Sequence, residues 1–247
     1  MSATRGEHER FFGGPLTDGL PSFVAAAHEL KSPLALVRQL SLMLEDGNVS
    51  EHEQKRMLRQ ISLTSERALR LTSDLTRSVR LADALFALEP INPQQLCEDI
   101  VRELTPLFTA HDRDVKLVPH KHPLLLVANR DLLRRIIMNF SDNALNYAEG
   151  DTTVEIKIGS HSAGKIIRLA VRDYGPALPI DTLKTLRGKL ATRASTPVHA
   201  RPQSSGLGLY IASQFADAMN GQIGVTQHHD GATFYIDLQA SQQLSLL

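Results

Sequence analysis

The chain has 247 residues, 42% apolar and 22% charged, the balance of a soluble globular protein with one large domain or two modest ones. Lys plus Arg and Asp plus Glu both number 27, so no overall charge draws it to nucleic acid or an anionic membrane. The single cysteine, Cys97, excludes an internal disulfide, no apolar run approaches the roughly 18 residues of a spanning helix, and the opening MSATRGEHERFFGGPL has no signal-peptide core. The expectation is a cytoplasmic protein with no nucleic-acid partner and no membrane segment.

From Leu20 the apolar positions Phe23, Ala27, Leu30, Leu34 and Val37, closed by Leu44, follow helical spacings of three and four. EDGN at 45–48 reads as a turn, with Gly47 near the helix C-cap and Ser50 as the next N-cap. Met57, Ile61, Ala68, Leu71, Leu75 and Ala82 then mark a second helix. Two long helices with a short turn make an antiparallel hairpin, which buries one face of each helix. A dimeric four-helix bundle completes it, with Leu30, Leu34, Leu71 and Leu75 in the expected seam.

The pattern changes near DALFALEPINPQ (83–94). A helix is expected over 93–110, short strands at VKLVP and LLLVA, a helix over 130–148, and strands near 153–158 and 165–172. A helix over about 207–219 and two closing strands near 221–227 and 232–238 follow. Strands interleaved with helices imply an α/β sandwich. The expected domains are a tail (1–17), a helical hairpin (18–86) and an α/β domain (87–247).

Four stretches carry chemistry. In HELKSPL (28–34), Pro33 cannot donate to the carbonyl of Glu29, so a bend is expected beside His28, whose ring should be reachable by solvent. A neutral imidazole is a nucleophile near neutral pH. In NFSDNALNYA (139–148), Asn139 and Asn143 share one helix face. LAVRDYGPALP (169–179) ends a strand at Asp173 and turns on Gly175. In SSGLGLYIASQFADAMNG (204–221), Gly206 and Gly208 precede a long helix, where free N–H groups and the positive helix end suit phosphate. Before it, Lys184, Arg187, Lys189, Arg193 and Arg201 form an acid-free stretch over 182–205, either a mobile lid or a solvated basic loop.

The first stretch resembles the phospho-acceptor box of sensor histidine kinases, H-E-[LM]-[RK]-[ST]-P-[LI], at every position. The others resemble that family's N-box (N-x-x-x-N-A-x-[KR]-[YFH]), its D-x-G-x-G box and its GLGLxIxxxxxxxxxG box, in family order over about residues 20–240. The resemblance implies a phospho-accepting hairpin joined to a gyrase-like ATP-binding domain. It makes His28 the acceptor of the γ-phosphoryl group of ATP, Glu29 the neighbouring base, and Ser32 a participant in dephosphorylating the partner. It places Asn143 on Mg²⁺, with Asn139 nearby and Tyr147 beside the nucleotide. Asp173 accepts from the adenine amino group, Gly175 turns the chain, and Ser205, Gly206, Leu207 and Gly208 cradle phosphate. The implied partner is a response-regulator receiver domain whose aspartate takes the phosphoryl group.

Three departures stand out: Asn146 where a basic residue is usual, Ala177 in place of the second glycine, and no phenylalanine box. They are the argument for an alternative, a non-enzymatic dimeric phosphotransfer or scaffold protein with a degenerate pocket. A gyrase-like ATPase is a further alternative, opposed by Asn139 standing where a glutamate would activate water and by the acceptor box.

Overall fold

The computed structural model describes residues 20–47, 49–80, 87–120, 125–147, 152–176 and 207–242, with isolated positions 181, 183, 184, 186 and 188. Helix α1 (Leu20–Glu45) runs through Pro33 and continues to Glu45. It closes as expected: Gly47 takes φ +67 and its N–H donates to the carbonyl of Leu44. Helix α2 (Glu51–Arg80) opens with a capping box. The Glu53 carboxylate accepts from the Ser50 N–H at 2.9 Å, and Ser50 Oγ accepts from the Glu53 N–H at 3.3 Å. The Ser50 hydroxyl also donates to that carboxylate at 2.6 Å, and this bond, then the one from the Ser50 N–H, holds the Glu53 carboxyl below its usual range.

The α/β domain comprises β1 (Glu89–Ile91), α3 (Pro93–Ala110), β2 (Asp114–Leu117), β3 (Leu126–Ala128), α4 (Arg130–Tyr147), β4 (Thr153–His161), β5 (Ile166–Arg172), α5 (Leu207–Ala218), β6 (Gln222–His228) and β7 (Gly231–Gln239). Helix α3 matches its expected span because its start is encoded locally: Asn92 Oδ1 accepts from the N–H groups of Gln94 and Gln95, and Pro93 follows the cap. Strand β1 was not foreseen. It pairs antiparallel with β3 in a separate two-stranded ribbon, Ile91 opposite Leu126.

The main sheet has the order β2-β4-β5-β7-β6; β2 and β4 are parallel and the remaining pairs antiparallel. Alternation directs Val154, Ile156, Ile167, Leu169, Val171, Phe234 and Ile236 into the core, with Phe108, Phe140 and Phe215 from α3, α4 and α5. Each such side chain contributes about 1.5–3 kcal/mol by leaving water. The opposite face is polar. Arg168 binds Asp237 through two N–H donors at 2.7 and 2.6 Å and lies 3.6 Å over the Tyr235 ring. Lys116 and Lys157 pair with Glu155, and the Lys157 hydrogen bond leads the causes that take its carboxyl down to about 2.

The hairpin lies against this domain, α2 along α3 and both hairpin helices along α5. Arg67 pairs with Asp142 at 3.4 Å, Arg56 with Asp112 at 3.3 Å, and Arg135 of α4 with the buried Asp74 of α2. Leu63, Leu71 and Leu75 pack onto the α/β core. The expected seam is therefore split: Leu71 and Leu75 face the α/β domain, whereas Leu34 is 60% exposed. The physical reason is that α2 carries apolar residues for two partners, and periodicity cannot assign them. Among the described side chains of α1 the buried one is Leu40, outside the expected series. Among the described residues no helix is long and apolar enough to cross a membrane.

Candidate nucleotide site

Helix α4 places Asn139 and Asn143 one turn apart, both half-buried. The Nδ2 atoms of both are buried with no hydrogen-bond partner among the described residues. Buried amides are ordinarily satisfied, and leaving one unpaired costs about 1–3 kcal/mol. Two such orphans on one helix face mark a place shaped for a ligand. Asp142, between them, also has a buried, unpaired Oδ1, while its Oδ2 faces Arg67 of the hairpin.

The first turn of α5 meets this face. Leu207 is fully buried and anchors the turn, and a Cβ on Gly208 would stand 3.9 Å from Asn143 Oδ1. The structure thus brings Asn143 and Gly208 together from positions distant in sequence. It also sets them over the middle of the sheet's helix-covered face, since α4 packs on β5, β7 and α5, with the rings of Phe140 and Phe234 6.0 Å apart.

Asp173 follows the last residue of β5 and is 2% exposed. Its N–H donates to the Ala232 carbonyl at 2.9 Å, and its Oδ1 accepts from the Ala232 N–H at 2.8 Å. The Gly175 N–H donates to the Asp230 carbonyl at 3.2 Å. The turn after β5 is thereby tied to the turn between β6 and β7. That second turn, HHDG, was not singled out from sequence, although Asp-Gly between two alternating runs is a hairpin signal.

Ser32 is exposed on α1. His28 and Glu29 lie on the same helix, but their side chains fall outside the described residues, as do those of Asn146 and Tyr147 at the end of α4. Ser205, Gly206 and Ala177 also fall outside, as do Arg187, Lys189, Arg193 and Arg201 of the basic stretch; Lys184 is exposed. Helix α1 does reach the site's neighbourhood, because it lies against α5.

Residues 128–242 match the family described as histidine kinase-, DNA gyrase B-, and HSP90-like ATPase. Over these residues the domain is similar to that ATPase family. Asn139, Asn143, Asp173, Gly175, Leu207 and Gly208 all fall within the match. The matched domain and the hairpin together are similar in sequence to proteins named as sensor histidine kinases. The chain is 29% identical over 211 residues to sensor protein kinase PmrB of Pseudomonas aeruginosa, covering 83% of this chain and 42% of that protein. It is 26% identical over 219 residues to histidine protein kinase SaeS of Staphylococcus epidermidis, covering 87% and 62%. The chain therefore spans roughly half the length of these relatives. The fold is shared with the histidine kinase AdeS of Acinetobacter baumannii (18% identity, TM-score 0.56, 87% of this chain and 98% of that one). It is also shared with ThkA in a structure of ThkA in complex with the response regulator protein TrrA (15% identity, TM-score 0.60, 90% and 62%).

Proposed function

We propose that the chain is the catalytic core of a histidine kinase, which phosphorylates its own His28 from ATP and passes the phosphoryl group to an aspartate of a response-regulator receiver domain. The observation that carries this reading is the pair of orphaned amides, Asn139 and Asn143, facing the first turn of α5 inside an ATPase-family domain. A degenerate pocket would have no reason to keep two unpaired buried amides. The relatives' names and the ThkA–TrrA complex support the kinase reading and the receiver partner.

In the proposed reaction a neutral His28 ring nitrogen attacks the γ-phosphorus. An N–P bond forms, the bond to the β–γ bridging oxygen breaks, ADP leaves, and Glu29 takes the proton from the imidazole. Asp173 holds the adenine, the first turn of α5 with Ser205 and Gly206 offers N–H groups to the phosphates, and Tyr147 flanks the nucleotide. Positioning and charge neutralisation carry most of such a reaction. Mg²⁺ fits the amide face, since Asn143 Oδ1 is a hard oxygen donor, and when bound it would neutralise phosphate charge. Use of ATP would set the reaction in the cytoplasm, and Ser32, exposed on α1, would take part in dephosphorylating the receiver as the family resemblance implies.

The proposed domains are a tail (1–17), the hairpin (18–86) and the ATPase domain (87–247), with 83–92 as the hinge along which bound ATP would reach His28. We also propose a homodimer formed through the hairpin. Leu34, Leu42, Leu58 and Leu69 are 60%, 48%, 53% and 68% exposed on its two helices, apolar surface that a second hairpin would cover. Light scattering at micromolar concentration tests this, and a monomer refutes it. The kinase reading is tested by incubation with γ-labelled ATP and Mg²⁺. An acid-labile, alkali-stable label is expected on the protein and absent from His28→Gln; a label persisting in that variant refutes the assignment.

A further inference from the structure

A buried guanidinium stands beside the adenine-reading carboxylate. Arg172, the last residue of β5, has a side chain only 7% exposed. Burying that charge costs far more than one ordinary contact returns, so its partners must be specific. They are the following: Nη1 donates to the carbonyl of Asp173 at 2.5 Å and to that of Ala232 at 3.4 Å, and Nη2 donates to Asp230 Oδ1 at 2.5 Å. The guanidinium carbon lies 4.4 Å from the centre of the Tyr174 ring, whose hydroxyl donates to Glu155 at 3.0 Å.

Sheet alternation puts Arg172 on the same polar face as Arg168, yet the two are used differently. Arg168 makes a two-pronged pair with Asp237 across neighbouring strands, a side-chain contact within the sheet. Arg172 instead turns past the end of its strand onto the backbone of the next residue. It reaches both partners of the Asp173–Ala232 exchange and ties them to Asp230. Gly231 leaves the space for this: a Cβ there would stand 2.4 Å from the Asp173 carbonyl oxygen and 2.8 Å from Arg172 Nη1.

We propose that Arg172, held by Asp230, is a positioning residue that sets the backbone and carboxylate of Asp173 for the amino group of adenine. The proposal rests on the reading of Asp173 as adenine acceptor. A carboxylate locked by its neighbours loses less freedom on binding, and so discriminates better, than one free to rotate. Arg172 touches no part of the nucleotide; it acts through Asp173.

The test uses the full chain and two ligands that are not turned over: ADP, and purine riboside 5′-diphosphate, which lacks only the amino group. Calorimetry with Mg²⁺ gives both affinities. Wild type should prefer ADP by about tenfold or more, the value of a hydrogen bond to a charged acceptor. Arg172→Met should shrink that preference to about threefold or less while its affinity for the deaminated ligand stays near wild type. Arg172→Lys and Asp230→Asn should give intermediate preferences, and they carry the test should Arg172→Met fail to fold. A merely structural role would weaken both ligands alike and keep the preference, which overturns the proposal. Asp173→Asn separates the layers. Preference lost there but intact in the Arg172 and Asp230 variants refutes the positioning role alone. Equal binding of the two ligands by wild type refutes the reading of Asp173 and the proposal with it.

Discussion

Replacing Gly231 by alanine perturbs the tightest approach to backbone found at any described glycine. The residue sits at φ +132, where an L side chain is strained by about 1–3 kcal/mol. Its Cβ would stand 2.4 Å from the Asp173 carbonyl oxygen, 2.6 Å from Asp173 Oδ1 and 2.8 Å from Arg172 Nη1. Two of these atoms belong to a buried residue in a paired backbone, so the turn must open, at a further cost of about 1–3 kcal/mol. The two costs overlap because one movement relieves part of both, and a total near 3 kcal/mol is expected. At about 2–4 °C per kcal/mol for a chain of this size, the melting temperature should fall by about 6–12 °C. Urea unfolding and thermal melts followed by circular dichroism measure it. Gly159→Ala is the control, since nothing lies within 4 Å of a Cβ there. It should stay within about 0.5 kcal/mol of wild type. If Gly231→Ala falls within about 1 kcal/mol of that control, the close-approach reasoning is wrong.

Ser50→Ala removes the capping box of α2 and should destabilise the hairpin by about 1 kcal/mol, read as a shift in the urea midpoint. Arg135→Met leaves the buried Asp74 without its α4 partner and should cost about 3 kcal/mol; a double-mutant cycle with Asp74→Asn that shows no coupling would refute a pair between hairpin and ATPase domain. Glu155 has a folded pKa of about 2, below the unfolded value near 4.5, so its stabilisation is complete above about pH 4.5 and lost as pH falls towards 2. Stability of Glu155→Gln should therefore depend less on pH than wild type across that window, in urea titrations at stepped pH. His111 has a lowered pKa, by burial and then by Arg67 and Arg113 against the opposing Asp112 and Asp142. The fold therefore binds that proton less readily than the unfolded chain, which takes it near pH 6.5, so wild-type stability should drop as pH falls below that value, and His111→Gln should lessen that drop.

What the sequence determines here is local. Helix periodicity, the Asn92–Pro93 start of α3 and the Gly47–Ser50 break between α1 and α2 need only neighbouring residues, and the structure places them where pattern reading does. The same holds for the placement of the residues proposed to bind nucleotide: Asn139 and Asn143 share a face because a helix has 3.6 residues per turn, and Asp173 directly follows a strand that reads as one. Strand β1 was missed because it is three residues long, contains Pro90, and exists by pairing with β3 far along the chain.

The tertiary structure alone decides which partner each face receives. An apolar stripe carries no address, so Leu71 and Leu75 read as a dimer seam and are found against the ATPase core. Charged residues are no better labelled. Arg172 and Asp230 are 58 positions apart, and only the register of β5 on β7 brings a buried guanidinium to the Asp173 backbone. Gly231 likewise reads as an ordinary turn glycine until the strand opposite it is in place. Local geometry follows from short-range sterics and hydrogen bonding, whereas pairing depends on a sheet register that no short stretch encodes.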